Sequence, residues 1–207
     1  MNGGGTNGAS APEAVIAVGA GGMELGALAD LLAALPADFP ATVLVALHSV
    51  SPGWSAAALR VFGERSLLPC AFARDEEQLT AGRVLLGPID RHLLVQGNRV
   101  RVVFGPKENG HRPALDPLFR TAAHDWGTRA IGVALGGLSG QITDGLGGLW
   151  KMKESGGTVV VPHAAGAELV ATDSSAVFQR VSADYTPTPG ELPALLLQLT
   201  SGRIQLP

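Results

Sequence analysis

The sequence predicts α/β architecture: one doubly wound, mostly parallel sheet with helices on both faces and an antiparallel hairpin near the middle. Three observations lead there. Short apolar runs at 14–18 (AVIAV), 42–47 (TVLVAL) and 130–135 (AIGVAL) lack polar alternation, as strands covered on both faces do. Leu25, Leu28, Leu31, Leu32 and Leu35 then recur at helical spacing until Pro36 stops them. Between strand and helix stand glycine-rich turns, at 19–22 and again at 136–145.

The remaining elements follow in order. The strand at 42–47 ends at His48, and 51–54 (SPGW) is a loop before a helix at 56–62. Residues 83–86 read as a strand, and 92–95 with 99–104, flanking Gln96, Gly97 and Asn98, as a hairpin that adds an antiparallel excursion to the sheet. Residues 105–113 (GPKENGHRP) form a long polar loop, and Asp116 is placed to cap a helix over 117–126. A helix at 146–155, a strand at 158–161 and a closing helix at 191–199 complete the domain.

Composition narrows the class. A chain of 207 residues, 46% hydrophobic, suits a single domain that needs neither disulfide nor metal to close its core. Residues 1–13 read as a flexible tail and 14–201 as the domain. A net charge of -3 with scattered Lys and Arg argues against nucleic acid as a partner. One cysteine, Cys70, fits a reducing compartment and reads as packed. The N-terminus has no signal-peptide pattern, and no apolar run approaches the ~18 residues of a membrane span, so a cytoplasmic chain with no membrane insertion is expected.

The candidate site collects at the carboxyl ends of the strands, where open α/β sheets bind ligands. Gly21, Gly22 and Met23 lie where backbone N–H groups and a helix N-terminus meet, suited to an anion or a developing oxyanion. The alternative is a tight turn and nothing more. Glu24 stands where G-x-G-x-x-G needs its last glycine, and no phosphate-loop Lys follows. His48 and, after the second glycine turn, Asp144 reach the same edge. His111 and Arg112 either bind an acidic group at the cleft rim or pin the long loop. His48, Asp144 and His111 or His92 are the candidate ligands of a metal, but the chain lacks any close ligand pair, and no metal is expected.

Several stretches in this order resemble the methylesterase domain of the chemotaxis protein-glutamate methylesterase (CheB) family, over roughly 14–199. The most specific is GPKENGHRPALDPLFRTAA at 105–123, similar to the family's NGHRPSVD-LF signature with Ala114 in place of Ser. The run ending at His48, PIDRHLLV at 88–95, RAIGVALGG at 129–137 and ADYTP at 183–187 support it. The resemblance implies hydrolysis of glutamate methyl esters and deamidation of glutamine on chemoreceptors by Ser, His and Asp, with no cofactor. It places the catalytic His at His48 and the Asp at Asp144, and implies methylated chemoreceptor cytoplasmic segments or another signalling protein as partners. No receiver domain is expected in this chain.

The departure is at the nucleophile. The family's first turn reads G-A-S-x-G-G, whereas Gly19 and Ala20 are followed here by Gly21, which has no hydroxyl. Ser49, Ser51, Thr143 and Ser10 are the candidate substitutes, each with ordinary capping or turn chemistry as the alternative. The sequence therefore leaves two expectations: a methylesterase/deamidase impaired at its nucleophile, with His48 as base and Asp144 as its orienter, or a non-catalytic module binding a receptor segment, a partner protein or a small acidic ligand.

Overall fold

The apolar run at Ala14–Ala20 forms β1, and each of its residues is buried. Val15 and Ala17 enter one core and Ile16 and Val18 the other, which is why the run tolerates no polar side chain. The computed structural model describes residues 10–21, 24–47, 51–135, 144–162 and 181–202.

Within these residues β1 is followed by α1 (Leu25–Ala34), β2 (Ala41–Leu47), α2 (Pro52–Arg65), β3 (Cys70–Phe72) and β4 (Arg83–Leu86). Then come β5 (His92–Gln96), β6 (Arg99–Val103), α3 (Leu115–Trp126), β7 (Ala130–Ala134), α4 (Leu146–Glu154), β8 (Thr158–Val160) and α5 (Leu192–Thr200). Six strands pair in parallel in the order β3-β4-β2-β1-β7-β8. The chain leaves β1 on one side through β2 and returns to its other side at β7. The crevice of such a sheet lies at that switch, outside the carboxyl ends of β1 and β7.

One core joins β1 and β2 to α1, α2 and α5 through Leu28, Leu32, Phe62, Leu192 and Leu196. The opposite core holds Leu118, Phe119, Leu149 and Met152 from α3 and α4, with Leu93 and Val95 from β5. The expected helices on both faces are thus present.

Four details differ from expectation. The hairpin does not enter the main sheet: β5 and β6 pair with each other as a separate two-stranded sheet. β4 already has β3 on one edge and β2 on the other, so it offers the hairpin no ladder. The hairpin docks instead on α3, where the Val95 N–H donates to Thr121 Oγ1 (2.9 Å) and Trp126 Nε1 to the Gly97 carbonyl (3.0 Å). β3 escapes pattern reading because it has three half-buried residues, Cys70 among them. α2 begins at Pro52 because Ser51 caps it, accepting the Trp54 N–H. α3 begins at Leu115, and Asp116 lies inside its first turn rather than at its cap.

α3 and α4 cross closely at Gly148. A Cβ there would stand 2.7 Å from Phe119 Cβ and 2.8 Å from the Asp116 carbonyl oxygen, neither of which a rotamer change can move. Gly148→Ala is therefore expected to lower stability by about 1–3 kcal/mol. Urea unfolding should show a lower midpoint at unchanged slope.

Candidate active site

The first glycine turn is shaped by packing from below and by a carboxylate from above. A Cβ on Gly19 would stand 2.8 Å from Leu115 Cδ1 and 3.0 Å from Phe119 Cζ, so a side chain near the end of β1 would have to push the ends of those two side chains aside. The Gly21 N–H donates to Glu24 Oε2 at 2.9 Å, three residues on, in the pattern of a capping box at the start of a helix. The amide expected to face an incoming anion at Gly21 is thus engaged by the chain's own carboxylate. Gly22 and Met23, the other members of the expected cradle, lie outside the described residues.

Asp144 is 2% exposed, yet its carboxylate is well supplied with donors. Oδ2 accepts the Leu115 N–H at 2.7 Å, and Oδ1 accepts the Asp116 N–H at 3.2 Å and Asn109 Nδ2 at 3.1 Å. Asp144 thereby caps α3, with its charge at the positive end of that helix. Asp116 performs the reverse service: its Oδ1 accepts the Gly148 N–H at 2.6 Å in the first turn of α4, and its Oδ2 accepts Asn109 Nδ2 at 2.7 Å. Asp144 caps the helix that carries Asp116, Asp116 bonds the first turn of the helix that follows Asp144, and one amide nitrogen bridges them. This corrects the expectation that Asp116 caps its own helix. Leu115 ties the group to the sheet, since its side chain lies against both Gly19 and Gly145.

Burial of Asp116 pushes its carboxyl above the usual range, and the neighbouring Asp144 adds to this. The bonds from Gly148 and Asn109 and the charge of Arg120 oppose the rise without cancelling it.

The long loop carrying His111 and Arg112 is fastened at both ends. At its start His92, buried, reaches the Pro106 carbonyl through Nε2 at 2.7 Å. Its Nδ1 faces the Ala114 N–H at 3.3 Å and must accept, so the ring proton sits on Nε2. Neither nitrogen of His92 offers a lone pair to a metal, and among the described residues no three His, Cys, Asp or Glu side chains converge on one. At the loop's far end Arg112 donates from Nε and Nη2 to Asp90 Oδ1 (2.8 and 2.7 Å) and from Nη1 to the Gly105 carbonyl (2.7 Å), and stacks 3.9 Å over Phe104. Its guanidinium is committed to the loop, which favours the pinning reading over the rim reading. The backbone of His111 closes the tip by exchanging hydrogen bonds with Glu108.

His48, Ser49 and Thr143 lie outside the described residues. His48 follows Leu47, the end of β2, whose register partner on β1 is Ala20. Of the described substitute nucleophiles, Ser51 uses its oxygen as the α2 cap. Ser10 precedes β1 at the opposite end of the sheet, its carbonyl accepting the Ala81 N–H. Burial pushes the Cys70 thiol up, away from a nucleophilic thiolate. Sequence reasoning did not single out Asn109 or Glu24. Their signals were the Asn-Gly pair in the loop and the capping-box spacing from Gly21 to Glu24.

Fold and site define the class: a doubly wound α/β domain with a capped, buried carboxylate at the carboxyl edge of a parallel sheet. The family model described as CheB methylesterase matches residues 14–196. Protein-glutamate methylesterase/protein-glutamine glutaminase 2 of Anaeromyxobacter dehalogenans is 34% identical over 174 residues, 84% of this chain and 50% of that one. Protein-glutamate methylesterase/protein-glutamine glutaminase 3 of the same organism is 39% identical over 153 residues, 73% of this chain and 44% of that one. The crystal structure of the Thermotoga maritima CheB methylesterase catalytic domain matches with a TM-score of 0.77 at 28% identity, covering 90% of this chain and 98% of that one. The chain belongs to the CheB methylesterase family. It spans about half the length of the curated relatives it matches, and among the described residues no helix is long and apolar enough to cross a membrane.

Two outcomes follow for the carboxylates. The raised Asp116 carboxyl binds its proton more tightly folded than unfolded, where the value is about 3.9. Its contribution to stability therefore falls as pH rises from about 4 through the raised folded value, and urea midpoints of wild type minus Asp116→Asn should decline across that window. Asp144→Ala leaves three donors without their acceptor and should cost about 1–3 kcal/mol in the same assay.

Proposed function

We propose that this chain is a protein-glutamate methylesterase/glutaminase-type domain of a chemotaxis-like signalling system, acting on glutamyl side chains of a receptor segment, with turnover impaired at the nucleophile. The observation that carries the reading is the pairing of a capped Asp144 with a strand-end turn in which Gly21 stands where the family has Ser. Triad hydrolysis needs an attacking oxygen, a base that takes its proton and a carboxylate that orients the base. Asp144 is suited to the third part, and His48, next after β2, to the second. With no hydroxyl at Gly21, His48 takes a proton from water instead. The resulting hydroxide bonds to the ester carbonyl carbon, the bond to the methoxy oxygen breaks, and methanol leaves with the proton returned by His48. One observation favours the second reading, binding without turnover: the Glu24 carboxylate on the Gly21 N–H holds negative charge where an oxyanion would form.

The test is hydrolysis of a methylated receptor fragment and of a small chromogenic ester by wild type, His48→Ala, Asp144→Ala and Gly21→Ser. Slow wild-type turnover that His48→Ala abolishes is expected. Gly21→Ser should raise the rate by at least ~10³, a small part of the ~10⁶ that a complete nucleophile and base supply. A Gly21→Ser variant that stays inactive while wild type binds the fragment establishes the binding reading instead.

A further inference from the structure

The Asp116–Asn109–Asp144 cluster holds two residues to which the reaction above gives no part. A primary amide nitrogen carries two hydrogens, and Asn109 Nδ2 directs them at two different carboxylates, Asp144 Oδ1 (3.1 Å) and Asp116 Oδ2 (2.7 Å). Two like charges this near one atom repel each other, and the shared donor offsets the repulsion. None of the three is free to drift. Asp116 is held on its other oxygen by the Gly148 N–H, Asp144 by the first N–H groups of α3. Asn109 adopts a left-handed backbone (φ 51°) in a loop fastened by His92 at one end and Arg112 at the other.

An orienting carboxylate acts by direction: it fixes which imidazole nitrogen carries the proton and where the ring points. With Asn109 and α3 holding both oxygens of Asp144, the lone-pair directions left to a base are set by those bonds. We propose that Asn109 and Asp116 are positioning residues, which fix the Asp144 carboxylate and through it the reactivity of His48. The inference rests on the role proposed above for Asp144.

The test is steady-state hydrolysis of the methylated receptor fragment by wild type and Gly21→Ser, each with and without Asn109→Ala or Asp116→Asn, and each pair repeated with Asp144→Ala. Asp116→Asn keeps an acceptor for the Gly148 N–H, so it guards against a misfolded Asn109→Ala, and circular dichroism at the assay temperature checks both. Asn109→Ala is expected to lower kcat about tenfold with KM within about twofold, a loss of the size that slight misplacement of a catalytic group produces. In the Asp144→Ala background the same change should do nothing further, because residues acting through one group are not additive. Where turnover by Asp144→Ala is below detection, the split between kcat and KM decides. Unchanged kcat, a loss confined to KM, or an equal loss without Asp144 overturns the inference and leaves the proposed function standing. No turnover by wild type or by Gly21→Ser overturns both.

Discussion

A carboxylate is costly to bury unless it is given hydrogen-bond donors, and in this chain the N-terminus of α3 supplies them to Asp144. That single cap fixes a great deal. It sets the start of α3 at Leu115, where the helix has no side-chain cap of its own. It also brings Leu115 against Gly19 at the end of β1 and against Gly145 beside Asp144. The reciprocal bond from the Gly148 N–H to Asp116 then locks α4 to α3 at a crossing too close for any side chain at Gly148. Helix packing and site geometry are here one set of contacts.

The polar loop at 105–113 works as a strut between the hairpin and this clamp. Excluded from the main sheet, the hairpin carries His92 to the Pro106 carbonyl and Phe104 beneath the Arg112 guanidinium. Those anchors leave the tip to present Asn109 to both carboxylates. Arg112, which the sequence leaves between binding an acidic group and pinning the loop, pairs with Asp90 within the chain. A positive residue in a signature motif is thus explained by the loop it holds.

The chemistry turns on a much smaller feature. Where the resemblance implies a strand-end Ser this chain has Gly21, and the fold of the family is present at 28% identity to a solved catalytic domain. Under the function proposed above the consequence falls on reactivity, because glycine has no hydroxyl to attack. At the same turn the Glu24 carboxylate accepts the Gly21 N–H.

Much was legible in the sequence because its causes are local or periodic. Apolar runs without alternation fixed the buried strands, leucine spacing fixed α1, and the order of motifs pointed to the family; all depend on residues near one another in the chain. The separate hairpin was hidden because edge occupancy on β4 is a property of the whole sheet. The three-residue β3 was hidden because it is too short to show a period. Asp116 was misjudged for a similar reason: its position before a helix is visible in the sequence, but its partner, Gly148, lies 32 residues away. By itself the sequence determined the fold class and the family. Only the tertiary structure decided where the carboxylates of Glu24, Asp116 and Asp144 go, because each is directed by the backbone N–H groups that folding brings within reach.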